Sequence, residues 1–175
     1  MLLACASAGS NAASSPLCIY FLRSKIMALT DFDLVLFGGS GDLAMRKLLP
    51  AMYSRDVCND LPPTARIICV GRHEWSQEEF LHNVETNSKP HLKTVDEAAW
   101  AKFIKRIVYA SLNATEVSTY GPLVAALRTD ESLTRVYYLA TPPHLFARIC
   151  DNLAATGLAT PNSRVVLEKP LGRDL

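Results

Sequence analysis

Nothing in the sequence is long and apolar enough to span a bilayer, which takes about 20 residues; the early apolar patch LCIYFL, at 17–22, stops after six. Charge of one sign is equally scarce. The 18 lysines and arginines offset 17 aspartates and glutamates, leaving a formal net charge of +1. No overall field therefore draws the chain to nucleic acid or to an anionic membrane, and any anion site has to be local. The five cysteines, Cys5, Cys18, Cys58, Cys69 and Cys150, are odd in number, widely spaced and without a C-x-x-C pair. That excludes a disulfide framework and a cysteine zinc site, and predicts reduced thiols in a cytoplasmic protein. The four histidines, His73, His82, His91 and His144, have no paired ligand spacing, so no metal site is expected.

What is present is enough for one domain. A chain of 175 residues, 49% hydrophobic and 20% charged, can bury one ordinary core. Residues 1–30 stand apart: they are rich in small residues, and Arg23 and Lys25 follow the apolar patch instead of preceding it. A secretory signal has the opposite order. Residues 1–30 are expected to form a disordered leader or an upstream-start extension, with Met27 as the natural beginning, while an organellar presequence stays open because no acid precedes Asp31.

From Phe32 onward strand-like and helix-like patterns alternate. Short apolar runs at 32–38, 65–71, 106–112, 136–141 and 164–169 have the length of buried parallel strands. Helical stretches are predicted at 42–57, 77–88, 96–105, 115–128 and 144–156, with Pro50 kinking or breaking the first. The alternation predicts an α/β domain over 31–175 with a doubly wound, mostly parallel, Rossmann-like sheet.

The stretch LVLFGGSGDLAMRKLLP, 34–50, places Gly38, Gly39 and Gly41 where the first strand gives way to a helix. The free N–H groups and dipole of a helix N-terminus favour phosphate, and glycines allow a tight turn and a close approach by a diphosphate. Two registers fit, Gly39-x-Gly41-x-x-Ala44 and Gly38-x-x-Gly41, and both put the phosphates over 38–44. A Walker A loop is excluded, since Lys47 is neither preceded by glycine nor followed by serine or threonine. Just past the second strand, Arg72 occupies the place where an acid would hold the ribose 2′-hydroxyl of NAD and an arginine accommodates the 2′-phosphate of NADP.

Four stretches, GGSGDLAMRKLLPAMY, ARIICVGRHEWS, YYLATPP and RVVLEKPLGRDL, in that order, resemble the coenzyme domain of the glucose-6-phosphate dehydrogenase family from about Phe32 to Leu175. The resemblance implies oxidation of the C1 hydroxyl of glucose 6-phosphate to 6-phosphogluconolactone with NADP, in the oxidative pentose phosphate pathway. It implies that Gly38, Gly39, Ser40, Gly41, Asp42, Leu43, Ala44 and Met45 bind the diphosphate and neighbouring ribose, that Arg72 binds the 2′-phosphate, and that Phe146 is an aromatic at the coenzyme site. Family members usually carry alanine at the place of Gly39, which predicts a position that need only be small. Lys169 would bridge coenzyme and sugar, as a positioning group because a charged ammonium cannot accept the leaving proton. Glu168 would pair with a neighbouring cation, and the bond between Lys169 and Pro170 resembles the family's cis peptide.

The family's R-I-D-H-Y-L-G-K-E motif and its catalytic histidine do not occur before Leu175. The resemblance therefore assigns no catalytic base within these residues, and the stretch alone is expected to bind coenzyme without turnover. Full-length family members are expected to be homo-oligomers and lack nucleic-acid and membrane partners. A standalone, non-catalytic nucleotide-binding module is the alternative. A short-chain dehydrogenase is disfavoured, because no Tyr-x-x-x-Lys pair stands at a suitable place.

Overall fold

The computed structural model describes residues 30–130 and 132–168. Its centre is a five-stranded, all-parallel sheet: β1 (Phe32–Phe37), β2 (Arg66–Gly71), β3 (Ile107–Ser111), β4 (Thr134–Leu139) and β5 (Ser163–Leu167), in the order β3-β2-β1-β4-β5. The apolar runs of β1 and β2 are buried on both faces, as expected of inner parallel strands. Leu34 and Leu36 face one core and Val35 and Phe37 the other, because alternate side chains of a strand point to opposite sides.

Five helices cover the two faces: α1 (Leu49–Val57), α2 (Gln77–Ser88), α3 (Glu97–Phe103), α4 (Gly121–Ala126) and α5 (Phe146–Ala155). The first three supply Leu49, Tyr53, Phe80, Val84, Trp100 and Phe103 to the core under Leu34 and Leu36. The last two supply Leu123, Ile149 and Leu153 to the opposite core. At the head of α2, Ser76 Oγ accepts from the Glu79 N–H while the Glu79 carboxylate accepts from the Ser76 N–H, satisfying two donors the helix would leave unpaired.

Pro50 does not break the first helix. Helical geometry begins at Asp42, runs through a π-helical turn at Ala44–Leu48 and continues into α1 with Pro50 at its start. The wider turn accommodates a proline that has no N–H to give and whose ring would crowd the carbonyl four residues back. The helix predicted at 115–128 is mostly absent. A 3-10 turn, Val117–Thr119, and the six-residue α4 replace it. Asn113 and Thr119 hold that segment in a turn of their own: the Asn113 N–H donates to Thr119 Oγ1, and the same hydroxyl donates to the Asn113 carbonyl.

One ion cluster anchors the entry of β1. Asp33 is fully buried on the strand, and Arg128 donates to it through Nη2 at 2.8 Å and Nε at 3.0 Å, to Asp31 at 2.5 Å and to the Phe32 carbonyl at 3.0 Å. The carboxylate is paired and hydrogen-bonded, the condition under which a charge can be buried at all.

Candidate functional site

The order of strands reverses between β1 and β4, and the crevice past their carboxyl ends is where doubly wound sheets bind ligands. The glycine loop leaves β1 at that point. Gly38 has φ +80°, and a Cβ there would stand 2.7 Å from the Ala140 carbonyl oxygen, so the turn requires glycine at the strand end. The N–H groups of Gly38 and Gly39 both donate to the Val70 carbonyl, at 3.0 and 2.9 Å, which ties the loop to β2. The Gly41 N–H turns back to Gly38 O at 2.9 Å, and the Met45 N–H donates to Gly41 O at 3.0 Å. Among the described residues the N–H groups of Ser40, Asp42 and Leu43 have no backbone acceptor, leaving them free for an anion at the helix start.

Gly39 corrects one expectation. A Cβ there would lie 2.7 Å from Cys69 Cβ and 2.8 Å from Cys69 Cα, closer than carbon atoms approach. In this chain the position has to be glycine, because the loop packs directly on the β2 backbone.

Ser40 connects the loop to the second strand. A Cβ on Gly71 would meet Ser40 Oγ at 2.7 Å, so the hydroxyl hangs over Gly71, immediately before Arg72. Arg72 is exposed and makes no hydrogen bond or ion pair among the described residues. Beside it, the His73 ring stacks on Trp75 at 4.4 Å, and Tyr109 donates from β3 to the His73 carbonyl at 2.7 Å. Burial, slightly offset by that hydrogen bond, raises the Tyr109 phenol above its usual value. This ring cluster escaped sequence reading because no short motif links positions 73, 75 and 109.

Ala44 and Met45 are buried, and Met45 Sδ accepts from Ser88 Oγ at 3.3 Å, so neither side chain faces the loop's outer surface. Asp42 is exposed and pairs with Arg46 at 3.4 Å across one helical turn. Leu43 and Phe146 are half-buried, and Phe146, the first residue of α5, packs against the core that contains Phe37 and Ile149. Lys169 and Pro170 lie outside the described residues. Glu168 does not pair with a cation among the described residues. It accepts from the Tyr138 hydroxyl, and burial together with this carboxylate pushes the Tyr138 phenol up to about 12.

A cavity of about 290 Å³ adjoins the loop on the α2 side, lined by Ser40, Gly41, Asp42, Met45, Arg46, Asn83, Asn87 and His91. Among the described residues no group of three or more potential ligands could hold a metal ion. No helix there is long and apolar enough to cross a membrane.

Comparison with known proteins agrees with this fold. The sequence model described as "Glucose-6-phosphate dehydrogenase, NAD binding domain" matches residues 35–175. A glucose-6-phosphate 1-dehydrogenase of Rhizobium meliloti is 38% identical over 156 residues, covering 88% of this chain and 32% of the relative. One of Mycolicibacterium smegmatis is 41% identical over 149 residues, covering 82% and 30%. Among solved structures, glucose-6-phosphate 1-dehydrogenase from Mycobacterium avium superposes with a TM-score of 0.73 at 31% identity, over 83% of this chain and 31% of that one. A glucose-6-phosphate dehydrogenase in complex with its substrate glucose-6-phosphate gives 0.71 at 29% identity, over 83% and 32%. The chain thus spans about a third of the length of the relatives it matches.

Proposed function

Because the chain belongs to the glucose-6-phosphate dehydrogenase NAD-binding domain family, whose cofactor class is a nicotinamide dinucleotide, we propose that it binds NADP in preference to NAD. The observation that carries this reading is the pairing of the loop with Arg72. The free N–H groups of Ser40, Asp42 and Leu43 suit a diphosphate, and the unpaired guanidinium follows the strand residue over which Ser40 Oγ hangs. A planar guanidinium meets a phosphate dianion through two parallel hydrogen bonds, and the Ser40 hydroxyl adds a donor beside it. The position after Arg72 is a histidine, not an acid, so a bare 2′-hydroxyl finds no carboxylate partner until Glu74.

The reaction these residues would serve is the oxidation of glucose 6-phosphate to its lactone, for which a bound nicotinamide dinucleotide would supply the hydride acceptor. This chain's own part would be to bind and orient: the loop would hold the diphosphate, Arg72 the 2′-phosphate, and Lys169 would orient the C1 oxygen as a fixed charge, since a charged ammonium cannot take the proton. The odd number and wide spacing of the cysteines, with no C-x-x-C pair, support a cytoplasmic location.

Calorimetric titration with NADP and NAD tests the reading. Wild-type protein should bind NADP more tightly, and Arg72→Ala should remove most of the difference while leaving NAD affinity nearly unchanged. Equal affinities in the wild type, or a preference untouched by the substitution, would overturn it.

A further inference from the structure

Thr141 stands just past β4 at the carboxyl edge of the sheet. Its Oγ1 is buried and has no hydrogen-bond partner among the described residues. Native structures leave few buried polar atoms unpaired, and each one calls for a reason. The other unpaired buried side-chain atoms are Trp100 Nε1, Arg106 Nε and Arg135 Nε. Trp100 sits in the core under α3, and both arginines lie at the amino ends of β3 and β4 and are hydrogen-bonded through their other nitrogens. Thr141 alone of these four lies where the coenzyme loop leaves the sheet.

Its surroundings fix the place closely. The Ala140 N–H donates to the Phe37 carbonyl at 3.0 Å, so β4 still tracks β1 one residue earlier. Thr141 Cγ2 is 3.5 Å from the point where a Cβ on Gly38 would stand. The methyl group therefore faces the first glycine of the loop. Methyl and hydroxyl occupy adjoining staggered positions on a threonine Cβ, and one step of about 120° in χ1 puts the hydroxyl where the methyl stands while the methyl moves to the hydrogen's place. In that rotamer the oxygen would take the methyl's place facing Gly38, about 3.5 Å from where its Cβ would stand.

We propose that Thr141 is a ligand of the dinucleotide, donating its hydroxyl to an oxygen of the diphosphate or adjoining ribose once the loop is occupied. The inference rests on the reading that the diphosphate lies over the loop, and it supplies the unpaired hydroxyl with an acceptor. The contact lies on the β4 side of the loop, whereas Arg72 follows β2. It therefore serves NAD and NADP alike.

Thr141→Val tests it in the full chain, because the change removes the hydroxyl at nearly constant volume. Without ligand, its Tm should equal or exceed the wild-type value, since a buried unpaired polar atom has gone. Its affinity for NADP and for NAD should each weaken by about tenfold, the worth of one hydrogen bond, with the ratio between them unchanged. Thr141→Ser keeps the hydroxyl and should retain wild-type affinity. Wild-type binding of both dinucleotides by Thr141→Val would overturn the proposal. So would a parallel fall of Tm and affinity in both variants, which marks a packing role. An Arg72→Ala protein that keeps its NADP preference would count against the NADP reading alone, whereas a wild-type chain that binds neither dinucleotide would overturn both.

Discussion

Gly39 rests against Cys69 so closely that the missing Cβ of the glycine would fall 2.7 Å from the Cβ of the cysteine and 2.8 Å from its Cα. Both atoms belong to or are fixed by the β2 backbone, which has no room to yield. Gly39→Ala should therefore push the loop off the strand, strain the hydrogen bonds from Gly38 and Gly39 to Val70, and destabilise the protein by about 1–3 kcal/mol. Urea unfolding measures this directly, and an unchanged midpoint would contradict the close packing.

Gln77 protects the open edge of the sheet. Its side-chain amide donates to the Ile107 carbonyl at 2.8 Å and accepts from the Tyr109 N–H at 2.8 Å, occupying the positions a sixth strand would take on β3. Unpaired edge groups recruit other strands. Gln77→Ala should bare that edge and raise self-association, seen by sedimentation as a concentration-dependent shift to larger species. Identical sedimentation of variant and wild type would contradict the role.

The cluster at the start of β1 makes stability depend on acid. Burial alone would raise the Asp31 carboxyl, but the hydrogen bond from Arg128, a further one from Thr64, the attraction of the guanidinium and the Phe32 N–H outweigh it and hold it below 3.8. A depressed carboxyl contributes stability above 3.8 that is lost as pH falls through its lower folded value. Asp31→Asn should flatten that part of the acid limb of a Tm-against-pH curve and leave the slope near pH 7 unchanged. Arg128→Ala should do more, because it strands the fully buried Asp33, at about 3–5 kcal/mol. A wild-type acid limb in Asp31→Asn would contradict the pairing.

The fold was legible where local signals and tertiary packing agree. α2 begins and ends at the predicted residues because the reciprocal cap of Ser76 and Glu79 fixes its start. The five strands announce themselves as apolar runs, although β4 begins two residues before its predicted start at 136, with Thr134 paired to Phe32. The prediction at 115–128 failed because Asn113 and Thr119 satisfy the backbone with their own side chains, a choice invisible to hydrophobic periodicity. The placing of the glycine loop after β1 and of Arg72 after β2 was readable because backbone freedom and the order of residues along the chain are properties of the sequence itself. The closeness of Gly39 to Cys69, the inward turn of Met45 and the orphan hydroxyl of Thr141 arise between segments distant in sequence, so only three dimensions disclose them.

The central claim is that a dinucleotide lies over the free N–H groups at the end of β1, and amide shift mapping by nuclear magnetic resonance addresses it residue by residue. Titration with NADP should move the Ser40, Asp42 and Leu43 amides most, together with that of Arg72, while Gly38 and Gly39, bonded to Val70, move less. Shifts concentrated instead at Asn83, Asn87 and His91, with Ser40, Asp42 and Leu43 unmoved, would contradict it.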